Sequence, residues 1–348
     1  GLPKGIMISH HNLVAGAQIV STYLGNTSED RVLGLLPINL DYGLNQLSTM
    51  IRVGATLVLQ HSLLPGDILR SLRQEDITGL AGMPPVWTLL LQARSSLEQE
   101  PLTSLRYISN SGGMIPNTHL EQLRRALPNT KIYLMYGLTE AFRSTYLPPE
   151  EVHRGPSCIG RAIPNTAVWV VNVDGHEVEP GEVGELIHRG PTVALGYWGD
   201  EEKTAAVYCP NPLAPPELRQ TDTVVYSGDL VMRGEDGFLY FVGRRDELIK
   251  TQGYRVSPGE VEQLLCGVPG VSEAVTFGQM DPLLGQRIVA VVSLNEGASC
   301  LPEDIRQNFS QKAPHYMLPK ELHILRELPK TATGKIDRGA LKNKYARE

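Results

Sequence analysis

Five short stretches of the chain hold residue types suited to gripping a phosphorylated ligand. Gly1-Leu2-Pro3-Lys4-Gly5 sets an ammonium between glycines, so backbone amides can close on an anion while Lys4 offsets its charge. The run does not match GxxxxGK[ST], and a solvated lysine in a Gly/Pro turn is the ordinary reading. Asn110-Ser111-Gly112-Gly113 follows the strand-like Leu105 to Ser109 and precedes a helix. Small residues there leave room for a ligand at the open edge of an α/β sheet, although a tight strand-to-helix turn uses the same residues. Ile132 to Met135 reads as a strand entering Tyr136-Gly137-Leu138-Thr139-Glu140. That run offers an aromatic face for a base, a glycine for close approach, a hydroxyl for phosphate and a carboxylate for Mg²⁺. Taken alone, Tyr136 is more often a core or interface aromatic and Glu140 more often a carboxylate at a helix start. Ser227-Gly228-Asp229 places a carboxylate beside a turn, where it can accept both hydroxyls of a ribose or simply face solvent. Finally, Pro329 to Asp337 forms a polar, glycine-containing loop around Lys335, a position where a solvated lysine is usual.

The elements that must position these stretches come in three textures. Between about residues 12 and 147, apolar runs such as Arg31 to Leu36 and Ala55 to Gln60 alternate with helix-period segments such as Asp67 to Leu72 and Thr118 to Leu127. This is α/β layering. From about 157 to 242, period-2 strands broken by Asp174-Gly175 and Asp236-Gly237 predict a twisted antiparallel sheet or barrel. The last hundred residues suit a compact α+β unit, with helices near Pro258 to Cys266 and Pro302 to Lys312 and strands at Val271 to Phe277, Ile288 to Leu294 and Glu321 to Leu325. The expected division is 1–156, 157–243 and 244–348, broken at the charged run Gly243 to Glu247.

Composition excludes several functions. A length of 348 residues exceeds what one core usually serves and implies two or three domains. The net charge of -6 lacks the basic footprint of a nucleic-acid binder. Cys158, Cys209, Cys266 and Cys300 form no CxxC pair, which suits a reducing compartment, and the cytoplasm is expected. No stretch reaches the roughly 18 to 20 apolar residues that span a bilayer. The chain opens on Gly1 inside a candidate phosphate loop, and is expected to be a fragment.

Taken together, in this order and spacing, LPKG, YGLTE, SGDL, GRRDELIKTQGYRVSPGEVE and PKTATGKIDR resemble the adenylate-forming superfamily of acyl-CoA synthetases, peptide-synthetase adenylation domains and luciferases. The resemblance runs nearly end to end. Asp41 to Leu47 and GLTEAFRSTYLPPEE are most similar to acyl-CoA ligases associated with exosortase systems. It implies a large domain, layered α/β plus a distorted β-barrel, with its front part missing, then a small mobile α+β domain. It implies ATP, Mg²⁺ and CoA, with a small carboxylic acid as substrate. By similarity, Lys4 contacts the leaving pyrophosphate, Gly112 and Gly113 line the adenine and acyl site, Tyr136 stacks on adenine, and Gly137 belongs to the nucleotide-binding residues. Thr139 then holds the α-phosphate, Glu140 the Mg²⁺ and Asp229 the ribose, with Arg244 close by, while Lys335 bridges carboxylate and α-phosphate. Asp246 matches a hinge about which the small domain rotates between half-reactions, bringing Lys250, Gly253, Tyr254 and Arg255 to face the adenylate and the acceptor thiol. Tyr42, Ala141 and Phe142 are implied walls of the acyl pocket.

The sequence departs from the family pattern in two places. The Ser/Thr/Gly-rich segment and front subdomain that precede LPKG in relatives are missing, so an incomplete form is expected. Leu40 stands where many acyl-CoA synthetases carry a histidine. The neighbouring Asp41 is expected to satisfy backbone donors at a strand end, or to recognise a cationic or hydroxylated acid. Three functions follow: an acyl-CoA ligase, an adenylation module loading a carrier protein in trans, or an inactive truncated nucleotide-binding form.

Overall fold

The computed structural model describes residues 5–92, 97, 101–331 and 336–345. They form two compact units, the first comprising Gly1–Ile115, His119–Ser227 and Val231–Phe241, the second Pro116–Thr118, Gly228–Leu230 and Val242–Glu348.

In the first unit the apolar runs become short parallel strands because each is followed by a helix that returns the chain to the same sheet edge. Thr56–Leu59, Arg31–Gly34, Gly79–Gly82, Tyr107–Asn110 and Lys131–Leu138 lie side by side in that order. Helices Asp41–Val53, Pro65–Gln74 and Pro84–Gln92 cross between them. Ahead of the sheet, helix His10–Leu24 begins at a capping box in which Ser9 and Asn12 satisfy each other's end of the turn. Ala141–Leu147 then runs antiparallel to Lys131–Leu138. From it the ladder continues through Cys158–Ala162, Leu239–Arg244, Thr223–Arg233, Val183–Arg189 and Ala167–Val171. The strongly apolar face of the parallel half buries Leu33, Leu80, Ile108, Ile132 and Trp87, each worth about 1.5–3 kcal/mol of transfer free energy. No helix among the described residues is long and apolar enough to cross a membrane, and all four cysteines are free thiols.

One expectation fails here. Asp41 does not sit at a strand end, because the strand stops at Gly34 and Asp41 opens helix Asp41–Val53. Its carboxylate is favourable there because the first turn presents unpaired amide hydrogens.

The second unit is built on the antiparallel pair Val271–Asp281 and Gly285–Leu294. Ile249–Thr251 and Tyr254–Val256 extend one side, and Glu321–Leu325 adds in parallel. Helices Pro258–Cys266 and Pro302–Ser310 bury Val261, Leu265, Ile305 and Phe309 against Ala290 and Val292.

At the amino ends of the parallel strands, Asp30 is 2% exposed and satisfied on every side. Arg106 Nη2 donates to its oxygens at 2.7 and 2.8 Å, Thr78 Oγ1 at 2.6 Å and the Thr27 amide at 2.9 Å. Burial alone raises the Asp30 carboxyl, but these donors, Arg106 first, outweigh it and hold the group below its ordinary value. Its contribution is therefore present above about pH 4 and is lost as the pH falls through the lowered value. Asp30→Ala should cost about 3 kcal/mol, read as a fall in the urea unfolding midpoint at neutral pH that shrinks in acid.

Candidate active site

Two of the sequence stretches meet at the carboxyl ends of neighbouring parallel strands. Asn110 stands opposite Leu134 in register, so the Ser111–Gly113 turn and the Tyr136–Glu140 segment leave the sheet side by side. The turn is fixed from beneath: Trp87 Nε1 donates to Asn110 Oδ1 at 2.8 Å, and Asn110 Nδ2 donates to the Gly113 carbonyl at 2.8 Å. Gly112 adopts a φ of 76°, a conformation a glycine takes without steric cost. Gly112 and Gly113 are both exposed, while Ser111 is buried.

Glu140 does not begin a helix. Lys131–Leu138 and Ala141–Leu147 form a hairpin whose connection is Thr139–Glu140, with a register shift between Tyr136 and Leu138. Thr139 is exposed and Glu140 half-buried. Tyr197 donates its hydroxyl to Glu140 Oε1 at 2.5 Å, and the Ala194 amide donates to the Glu140 carbonyl at 2.9 Å. Burial and the nearby Glu140 charge both raise the Tyr197 phenol, so it remains a proton donor to the carboxylate. One carboxylate oxygen is thereby oriented at the hairpin tip.

The acyl-pocket residues cluster with a side chain that motif reading passed over. Ala141 is buried, Phe142 half-buried, and between them and Tyr42 lies Arg143. The Arg143 guanidinium stands 4.1 Å from the Tyr42 ring centroid and 5.0 Å from that of Phe142. Its Nη1 donates to Ser111 Oγ at 3.0 Å, tying the hairpin to the glycine turn. The Tyr42 hydroxyl donates to the Ser109 carbonyl at 2.8 Å and is also within hydrogen-bond distance of the Ser109 hydroxyl, at 2.7 Å. Burial pushes the Tyr42 phenol up to about 12. Only the position of Arg143 inside GLTEAFRS could have drawn notice to it, since its partners are far away in sequence.

Tyr136 is half-buried and stacks on His188, with ring centroids 6.0 Å apart and an interplanar angle of 20°. Neither ring nitrogen of His188 has a hydrogen-bond partner among the described residues. Burial holds His188 neutral down to about 3.

In the second unit, Arg244 Nη1 donates to the buried Asp229 at 2.9 Å, and Arg244 Nε donates to the exposed Asp246 at 3.2 Å. Ile249–Thr251 and Tyr254–Val256 form a hairpin with Gln252 and Gly253 at its tip, where Lys250 pairs directly with Arg255. Both side chains are exposed, and like charges directly opposite each other on a hairpin repel. Tyr254 stacks on Tyr316 at 4.0 Å. Lys4 and Lys335 lie outside the described residues. Lys330 and Ile336 form an isolated antiparallel bridge, and the Asp337 amide donates to the Pro329 carbonyl at 2.7 Å.

His188 gives this site a pH signature. The unfolded chain takes up a proton on His188 as the pH drops through about 6.5, and the folded protein does not until about 3. Stability is complete above about pH 6.5 and declines below it, by about 2 kcal/mol between pH 6.5 and pH 5 for one proton. Urea titrations at pH 7 and pH 5 should show this loss in the native protein and a smaller one in His188→Phe.

The AMP-binding enzyme family model matches residues 1–198, and the AMP-binding enzyme C-terminal domain model matches residues 260–335. The chain is 33% identical to the delta-poly-L-ornithine synthetase of Acinetobacter baumannii, over 98% of this chain and 25% of that protein. It is 32% identical to the indoleacetate–CoA ligase of Aromatoleum aromaticum, over 100% of this chain and 66% of that protein. The crystal structure of ATP-bound MatB from Rhodopseudomonas palustris aligns with a TM-score of 0.88 at 25% identity, over 100% of this chain and 66% of that one. The chain thus spans just under two-thirds of the ligase and a quarter of the synthetase. With one family model covering more than half of its residues, the chain belongs to the AMP-binding enzyme family.

Proposed function

We propose that the protein uses ATP to convert a carboxylic acid to an acyl-adenylate with release of pyrophosphate, then passes the acyl group to the thiol of CoA. The observation that carries this reading is the juxtaposition, at the carboxyl ends of adjacent parallel strands, of the exposed Gly112–Gly113 turn with the Tyr136–Glu140 hairpin tip. Such strand ends are where open α/β sheets receive ligands. The ATP-bound MatB structure and the ligase name of the Aromatoleum relative support the choice of nucleotide and of thiol acceptor.

The chemical difficulty is that a carboxylate must attack a phosphorus already surrounded by negative charge. Catalysis is therefore alignment together with charge compensation. In this reading Gly112 and Gly113 admit the nucleotide, Tyr136 covers the adenine beside Gly137, and Thr139 donates to the α-phosphate. Lys4 compensates the departing pyrophosphate, and Lys335 joins the attacking carboxylate to the α-phosphate. Among the described residues no group of three or more His, Cys, Asp or Glu side chains could hold a metal. A single oriented carboxylate, Glu140, beside the Thr139 hydroxyl fits Mg²⁺, which takes one or two carboxylates and fills its remaining positions with phosphate oxygens and water. Bound there, Mg²⁺ would neutralise phosphate charge.

Asp229 and Arg244 take the ribose side, Asp246 serves as the hinge, and Lys250, Gly253, Tyr254 and Arg255 face the acceptor, where the Lys250–Arg255 pair suits the phosphates of CoA. A reaction that consumes ATP and CoA belongs in the cytoplasm. The resemblance to exosortase-associated ligases rests on Asp41 to Leu47 and Gly137 to Glu151.

The full-length gene product should catalyse exchange of labelled pyrophosphate into ATP that depends on an added acid. Glu140→Gln and Lys335→Ala should each lower that exchange by about 10²- to 10³-fold. Absence of acid-dependent exchange across a broad acid panel would refute adenylation. With an active acid in hand, product formation with CoA but not with a phosphopantetheinylated carrier protein is the expected result, and the reverse would make the protein a carrier-loading module.

A further inference from the structure

Arg143 is a buried cation with two of its three guanidinium nitrogens unpaired among the described residues. The residue is 3% exposed, and its Nη1 is satisfied by the neutral Ser111 hydroxyl. Its Nε and Nη2 have no hydrogen-bond partner among the described residues. Those two nitrogens form one edge of the guanidinium plane, and their parallel N–H bonds match the spacing of the two oxygens of a carboxylate. An unneutralised charge out of water is one of the costliest arrangements in a protein interior. The residue also holds a φ of 56°, in the left-handed region that a side-chain-bearing residue enters at a cost. Desolvation, backbone strain and an empty bidentate edge thus fall on one residue, three places beyond Glu140, and strain of this kind persists where a site requires it.

The surroundings hold the cation in place without neutralising it. Tyr42 and Phe142 offer ring faces, and Tyr42 is itself tethered to Ser109. Ser111 leads directly into the exposed Gly112–Gly113 turn, so an acid seated over that turn can reach the guanidinium. Behind Tyr42 there is no room for a long tail: the cavity lined by Tyr42, Asn45, Gln46, Thr49 and Ser109 measures about 20 Å³, enough for about one water. Its lining is mixed, with apolar Val20, Val32, Met50 and Met135 beside Asn45, Gln46 and Thr49, whose Nδ2, Oε1 and Oγ1 lack partners among the described residues.

We infer that Arg143 is the specificity-determining residue of the acid site and that the acid activated is a short dicarboxylic acid. This rests on the adenylation reading above. One carboxylate is adenylated: its oxygen forms the bond to the α-phosphorus while the bond from that phosphorus to the bridging oxygen breaks, and pyrophosphate leaves with the electron pair. The other carboxylate is unchanged and occupies the Nε–Nη2 edge of Arg143.

The test is pyrophosphate exchange by the full-length protein with malonate, succinate, glutarate and adipate, each beside its monomethyl ester and a monocarboxylate of equal length. The ester keeps the reactive carboxylate and removes the distal charge. The preferred diacid should exceed its ester by about 10²-fold or more in kcat/KM, since a site built around a buried polar group rejects an analogue that leaves it unpaired. Arg143→Met should abolish that preference, its diacid-to-ester ratio falling about 10²-fold, and should keep or raise the urea midpoint of the unliganded protein because a buried unpaired charge is gone. A wild-type enzyme that activates monocarboxylates as well as diacids, or an Arg143→Met variant that lowers diacid and ester rates equally, would overturn the inference. A lower midpoint with unaltered selectivity would make Arg143 a packing residue and overturn it too. Exchange with no acid at all would instead remove the adenylation reading, and this inference with it.

Discussion

The two strands of the Lys131–Leu147 hairpin cross so closely at Gly137 that a side chain there has no place. A Cβ on Gly137 would lie 2.7 Å from the Arg143 amide nitrogen and 2.9 Å from its Cα. That crossing absorbs the register shift between Tyr136 and Leu138 and accompanies the left-handed backbone of Arg143. The rest of the first unit's site hangs on it. The tight tip carries Thr139 and Glu140 out of the sheet toward Tyr197, while Tyr136 is turned to His188. Arg143 is folded inward over Tyr42 to meet Ser111. A larger residue at position 137 would separate the strands and move all these groups together.

The hairpin also marks the place where the sheet changes character. Up to Lys131–Leu138 each strand is parallel to its neighbour and followed by a helix. From Ala141–Leu147 onward neighbours run antiparallel. Periodicity in the sequence detects this change because it offers no helix-period segment between Leu127 and Pro258, and it correctly locates the apolar runs that become strands. The glycine turn and the Tyr136–Glu140 run were legible for the same reason, since their chemistry is contained in consecutive residues. Asp41 was misread because Leu36-Pro37-Ile38 looks like strand, yet the proline-containing link ends the sheet edge and the helix opens five residues past Leu36.

What the sequence did not disclose is pairing across long separations. Tyr197 reaches Glu140 over 57 positions and Arg106 reaches Asp30 over 76, and neither pair has a local spacing signal. His188 reads as one residue of an alternating strand, and nothing in its neighbours announces that both nitrogens are left without partners among the described residues. In the second unit, Glu262 receives both Arg338 Nη1 and Nη2 at 2.6 Å. That contact anchors the helix following the Lys335 loop, and from sequence alone it is indistinguishable from an exposed ion pair.

The two edges of the parallel sheet divide the polar groups between stability and chemistry. Asp30, Thr78 and Arg106 each stand just before the first residue of a strand, and at this amino edge the buried carboxylate finds a donor for every direction it presents. At the carboxyl edge the pattern reverses: Arg143, held to Ser111 through Nη1, keeps Nε and Nη2 without partners among the described residues. A buried polar group that is fully answered adds order to a fold, and one left open adds only cost unless something else completes it. Buried polar atoms without partners among the described residues also occur elsewhere, at Asn26, Thr166, Ser257 and His323 for example, but Arg143 sets a full charge beside the edge where Gly112, Gly113, Thr139 and Glu140 emerge. The sheet's direction thus separates a buried charge that is answered, at Asp30, from one that is left open.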